Sequence, residues 1–243
     1  MNKLLSTIKW DMRFQLNNGL YLAGIVLSGV YIVIISLFPA ESMQYVLPIV
    51  LLSDLSTMGM MFMAAILFFE RGQGSIHAVV VTPLTTNQYL QSKVISLTIY
   101  VVAVSSIVVI VVSLLKNMPV NYLLMLLAII IIAVAYILGG FVLSTYFKNF
   151  TDFLFPLGII FALSNLPLLW IFEIEALAPL QGLIYLIPSQ GMVILLQAIF
   201  TAKPWYDLLY AIGYNSLVIL LLYRAAIIKF NRKIIGRSSD IDG

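Results

Sequence analysis

An all-α membrane protein with six transmembrane helices is the fold class this sequence predicts, and three observations predict it. Of its 243 residues, 62% are hydrophobic and 9% charged, where a soluble domain carries roughly 45–50% and about a quarter. Six stretches supply the about 20 apolar residues that a helix needs to cross a ~30 Å hydrocarbon layer. All but two of the 13 lysines and arginines, finally, fall on one side of such a six-span arrangement. A soluble enzyme, a disordered tail and a nucleic-acid binder are excluded, because so few charges cannot cover so much apolar surface. The net charge of +3 and pI near 9.0 do not point to nucleic acid, since in a membrane protein the position of the charges carries the information. The chain has no cysteine, hence no disulfide, thiolate metal site or cysteine nucleophile. A single histidine, His77, argues against a histidine-ligated metal. No metal site and no catalytic residue are expected.

The elements follow in order. Residues 1–18 place Leu5, Ile8, Met12 and Leu16 at helical spacing, with Lys3, Lys9, Asp11 and Arg13 elsewhere and Trp10 at interfacial depth. That pattern predicts an amphipathic helix lying on the inner membrane face. It is not a cleavable signal: the apolar stretch after it is too long and no A-x-A-like site follows. A transmembrane domain is expected over 19–228, with spans at 19–38, 45–69, 94–115, 122–147, 153–172 and about 206–228. The stretch 180–200 is apolar but broken by Gln181, Gly182, Pro188, Gln190, Gly191 and Gln197. Charge decides its status. Six spans with both termini in the cytoplasm leave only Lys116 and Lys203 of the 13 Lys and Arg outside. A seventh span would carry the cluster from Arg224 to Arg237 across. The segment 173–204 therefore reads as an external helical segment, re-entrant or in the outer leaflet, and such backbone must be buried in protein or line a cavity. Residues 229–243 form a cytoplasmic tail.

Several polar groups lie inside the membrane. Asp54 sits about ten residues into the second span, near the bilayer centre, where insertion costs about 2.5–3.5 kcal/mol. It is either a structural, hydrogen-bonded aspartate or a counter-charge for a cationic or zwitterionic substrate, with Met58 and Met61 supplying an adaptable wall. Asn165 either bonds across a helix interface or touches substrate. Pro167 cannot donate to the carbonyl of Leu163, so the fifth span should kink. Ala135-x-x-x-Gly139 and Gly140-x-x-x-Ser144 are small-residue ridges suited to close helix packing.

The longest cytoplasmic loop runs over 70–93. Pro83 disfavours helix at Thr82, which predicts two short helices with a corner at Thr82-Pro83, the second capped by Thr85 or Thr86. Between the polar ends lies 75–81, apolar on much of its surface, a short helix presented to the cytoplasm. The string F-F-E-R-G-Q-G-S-I-H-A-V-V-V-T-P-L-T-T-N-Q-Y-L-Q-S-K resembles the first cytoplasmic loop of ABC-2-type permeases, and within them bacterial drug exporters of the fluoroquinolone-export kind. The matching positions are Glu70, Arg71, Gly74, Thr82, Pro83, Leu84, Tyr89, Leu90 and Lys93. At Ser75-Ile76-His77 the sequence departs from the family's Thr and Leu-rich pattern.

That resemblance implies a coupling helix over 73–81 that docks on a separate ABC ATPase subunit, with Ile76 and Val79 on its contact face. It implies an exporter fold of the ABC-2, or type V, kind, and a second permease, either an identical copy or a related one. The chain itself has no G-x-x-x-x-G-K-(S/T) loop, so ATP and magnesium belong to the partner. Membrane proteases are excluded, because neither G-x-S-x-G with an intramembrane histidine nor H-E-x-x-H is present. A standalone secondary transporter or channel driven through Asp54 is the remaining alternative, although no internal repeat supports it.

Overall fold

The computed structural model describes residues 3–74, 85–172 and 181–232. Among these the secondary structure is helical throughout, without strands. The helices are α1 Lys3–Asn17, α2 Leu20–Ser36, α3 Met43–Gly72, α4 Thr86–Lys116, α5 Tyr122–Ser144, α6 Phe150–Asn165, α7 Gln181–Ile184, α8 Pro188–Ala198 and α9 Trp205–Phe230. Short 3₁₀ turns, Ala40–Ser42 and Leu166–Phe172, precede α3 and continue α6. Five of the helices are long and apolar enough to cross a membrane, and α1 with α2 makes a sixth span if that bent pair is counted as one. The protein is a multi-pass membrane protein.

The bend between α1 and α2 is 62°. It falls at Gly19, where φ is +76°, a left-handed conformation that costs glycine nothing and most other residues about 1 kcal/mol or more. The first span thus begins where hydropathy places it. Around Pro167, where the sequence predicts a kink, the helix changes type: α6 ends at Asn165 and the chain goes on as a 3₁₀ turn within the same span.

The core lies where α3, α4 and α5 meet, with α8 and α9 closing one side. In lipid there is little hydrophobic drive between helices, so close backbone approach supplies much of the attraction. Gly140 shows how close: a Cβ there would lie 2.5 Å from the Cα and carbonyl oxygen of Met60. One turn before it, Tyr136 packs onto Gly59. Of the two small-residue ridges in the sequence, the one through Gly140 makes the helix contact, whereas Gly139 has open space beside it. The stretch 180–200 is split into α7 and α8. The second is mostly buried and seats Gly191 against Ala211 and Asn215 of α9.

Helix ends are closed by side chains from neighbouring elements. At one end of the bundle, Lys116 donates to the carbonyls of Ser36 and Phe38, at 2.8 and 2.9 Å, and so caps α2. At the other end, where the α3–α4 loop emerges, Arg71 does the same for α5.

Candidate functional site

The base of the α3–α4 loop gathers the polar residues that the sequence motif singles out. Tyr89 and Lys93 are one turn apart on α4 and project from the same face. Both reach Glu70 in the last turns of α3: the Tyr89 hydroxyl donates to Oε2 at 2.5 Å and the Lys93 ammonium donates to Oε1. The same ammonium donates to Asp11 Oδ1 of α1 at 2.5 Å. Lys93 also stands 5.4 Å from the centre of the Tyr89 ring, whose other neighbour is Phe230 of α9 at 5.0 Å. One turn beyond Asp11, Gln15 donates to Ser96 of α4 at 2.9 Å.

All of these groups are buried; Asp11 is 2% exposed and Lys93 4%. Removing an isolated charge from water costs several kcal/mol, so such a cluster persists only when its charges are paired and hydrogen-bonded. Here one ammonium serves two carboxylates and the tyrosine hydroxyl supplies the further donor. Asp11 Oδ2 and Gln15 Oε1 have no hydrogen-bond partner among the described residues. The cluster ties α1, α3 and α4 at one point.

Arg71, next to Glu70, faces the other way. Its guanidinium donates to the carbonyls of Ser144 and Phe147, each at 3.0 Å, and lies 5.3 Å from the Phe68 ring. The last carbonyls of a helix have no partner within it and carry the negative end of its dipole, so a cation there satisfies both needs. Gly74 then leaves α3 at φ +70°, the left-handed cap position that favours glycine. On the returning arm Thr85 is the cap: its hydroxyl accepts from Gln88 N–H while the Gln88 side chain receives the Thr85 N–H. Thr86 bonds Asn231 at 2.8 Å and Tyr223 bonds Asn87 at 2.9 Å, which fastens α4 to the end of α9.

Of the residues expected to couple, Glu70, Arg71, Gly74, Tyr89 and Lys93 therefore have defined places, and Leu90 lies in the core. Ile76, Val79, Thr82, Pro83 and Leu84 fall outside the described residues. Asp11 and Gln15 were not expected. The hydropathy pattern of α1 puts Asp11 among its outward charges, yet the helix turns its Asp11–Gln15 face onto α4. A signal was present: Asp11 is the one acid in a helix whose other charges are cations, and Lys93 needed partners.

The four residues expected along a substrate path do not converge. Asp54 is 4% exposed and faces the Tyr31 hydroxyl of α2. Met58 belongs to the core. Met61 lines a groove of about 330 Å³ at the α1–α2 bend, with Phe14, Ala23, Ala65 and Phe69. Asn165 sits between helices: Oδ1 accepts from Ser53 of α3 at 3.0 Å and Nδ2 donates to the Phe161 carbonyl at 2.8 Å.

A larger cleft, of about 580 Å³, opens between α5, α6, α8 and α9, with Met60 of α3 also at its wall. Its walls come from Ala135, Tyr136 and Gly139 of α5, Ile160 and Ser164 of α6, Ser189 and Met192 of α8, and Val218 and Leu222 of α9. The volume is in the range of small-molecule sites and the lining is largely apolar, with Tyr136, Ser164 and Ser189 as its hydroxyl-bearing residues. Ala135 and Gly139 both line this opening, Ala135 from the buried core and Gly139 with open space beside it.

Comparison with known proteins bears on the whole chain. Residues 2–238 match the model of the Fluoroquinolones export permease protein family. Two relatives are fluoroquinolones export permease proteins of Mycobacterium tuberculosis, from strains CDC 1551 / Oshkosh and ATCC 25618 / H37Rv. Each is 27% identical over 241 residues, covering 98% of this chain and 99% of the relative.

Proposed function

The chain belongs to the fluoroquinolones export permease protein family, and from that premise we propose that it is the membrane subunit of an ABC exporter, driven by a separate ATPase. The carrying observation is the construction of the loop base. Glu70 and Arg71 fix the arm that leaves α3, and Tyr89 and Lys93 fix the arm that returns into α4. Lys93 joins the returning arm to α1 and to Glu70, and Arg71 links the leaving arm to the end of α5. A push on the segment between them cannot be absorbed locally. It moves the helices that wall the cleft.

In this reading both termini and the α3–α4 loop are cytoplasmic, ATP and magnesium sit on the partner, and residues 73–81 form the coupling helix. Six spans make half a transporter, so a second permease, identical or related, completes it. The segment carrying α7 and α8 is the external, re-entrant element. The substrate is an amphipathic molecule, and the fluoroquinolones named for the relatives are the first to test. The cleft of about 580 Å³ contributes part of the path. Asp54 and Asn165 act structurally, since each already faces a polar neighbour.

Copurification tests the reading. Placing a charge on an apolar docking face removes about 1.5–3 kcal/mol of burial per side chain. Ile76→Asp or Val79→Asp should give a folded, inserted protein that no longer retains its ATPase. Ile228→Asp, at a position 51% exposed on α9, controls for damage to the fold. Normal retention and transport by both loop variants would overturn the coupling role. Transport that persists without any ATPase would favour a secondary transporter.

A further inference from the structure

The helix α1 has three faces. One, with Leu4, Ile8, Asp11 and Gln15, packs on α4. A second, with Leu5, Met12 and Leu16, is apolar, and Leu5 and Leu16 are more than half exposed. The third carries Lys9 and Arg13, one turn apart and both exposed, on the side away from α4. Among the described residues the ion pairs are those of Lys93, so neither Lys9 nor Arg13 has an acidic partner there. Trp10, 66% exposed, projects beside them.

We propose that this outer side of α1 is a binding surface for anionic phospholipid headgroups. An apolar stripe next to a cationic one is the geometry of a helix lying in a membrane interface, the first in the acyl boundary and the second at headgroup level. The positions argue for lipid as the occupant. The α1–α2 bend at Gly19 joins the helix directly to a span, which holds it at the membrane surface. Zwitterionic lipid would satisfy the apolar stripe alone; Lys9 and Arg13 select a net negative headgroup. The opposite face holds Asp11 against Lys93, so a headgroup seated on α1 also fixes the helix that braces the loop base. This inference requires only the membrane-spanning chain and stands or falls independently of the ATPase partnership.

The test uses the full chain with Trp170→Phe and Trp205→Phe, leaving Trp10 as the reporter among the 3 tryptophans. It is reconstituted in vesicles of phosphatidylcholine and phosphatidylglycerol, with brominated acyl chains on one lipid or the other. At equal mole fraction, brominated phosphatidylglycerol should quench Trp10 emission more strongly than brominated phosphatidylcholine. Two basic residues near such a surface correspond to a local preference on the order of tenfold at low salt. High salt should erase the preference, and so should Lys9→Gln with Arg13→Gln. Equal quenching by the two lipids at low salt would overturn the proposal, as would a preference that survives the double substitution. No quenching by either lipid would show that α1 faces something other than the bilayer.

Discussion

Along the most apolar stretches of α3, α4 and α5, 61%, 50% and 61% of the residues are buried within the chain, whereas for the spans of α6 and α9 the share is 17% each. The two regions are held by different means. The central helices interlock through backbone contact at Gly140 and Tyr136, and their ends are closed by Arg71 and by the Asp11–Lys93–Glu70 cluster. The flanking helices bury a narrower stripe: α6 packs Phe153 against Phe68 and bonds Ser53 through Asn165. In α9, Ala211 packs on Gly191 and Phe230 on Tyr89, with hydroxyl bonds from Tyr210, Tyr214 and Tyr223. Their outer faces present residues such as Phe155, Leu209 and Leu217, all exposed. A span can thus be apolar along its length and still belong to either kind of region. The central block is held by contacts within the chain, and the flanks present apolar faces outward.

The largest effect should come from breaking the charge cluster. Lys93→Met leaves Asp11 and Glu70 as buried, uncompensated carboxylates, which costs about 3–5 kcal/mol in comparable sites. In mixed detergent and sodium dodecyl sulfate micelles its unfolding midpoint should fall furthest among these variants. Adding Asp11→Asn and Glu70→Gln removes the charges themselves and should restore most of the loss. A midpoint for Lys93→Met equal to that of the parent would show that the cluster does not hold α1, α3 and α4 together.

An intermediate effect is expected on α5, where two adjacent glycines face the two regions. Gly140→Val drives a side chain into the Met60 backbone, and overpacking of that kind costs about 1–3 kcal/mol. At Gly139 an added Cβ meets nothing within 4 Å, and Gly139→Val should leave the midpoint unchanged. Under the cleft reading it should nevertheless reduce export, because its side chain projects into the opening. Equal destabilisation by both would mean that α5 has no packed and open sides.

Much of this was legible in the sequence, and the rest was hidden for physical reasons. Span positions follow from hydropathy, because a membrane imposes one length on every helix. The end of the first helix at residue 18, a break caused by Pro167 and a cap at Thr85 or Thr86 could be read from local backbone chemistry. The left-handed bend at Gly19 and the 3₁₀ form after Asn165 came with the structure. The motif singles out Glu70, Arg71, Tyr89 and Lys93, but it does not give the partners they have within the chain. Asp11 lies 82 residues from Lys93, and no local pattern announces a contact over that distance. Amphipathicity misplaced it, because that measure sorts residues by hydropathy and cannot foresee a carboxylate turned toward a buried ammonium. The cleft was equally hidden: Gly139 and Gly140 look alike in sequence, and only helix packing tells which one is covered.

The smallest effect separates the two roles open to Asn165. As an interface residue, it contributes through the Ser53 hydroxyl at 3.0 Å. Hydrogen bonds between membrane helices average about 0.6 kcal/mol and reach about 1.7. Asn165→Leu should therefore lower the unfolding midpoint slightly, and Ser53→Ala by a similar amount. Because both substitutions remove the same bond, the double variant should lose little more than either single one. Export measured per molecule should be unchanged, since the amide's oxygen and nitrogen already have partners within the protein. A drop in export with an unchanged midpoint would instead place Asn165 against substrate. The α3–α6 contact would then be part of the path, and the division between a packed centre and a loosely held flank would run on the other side of α6.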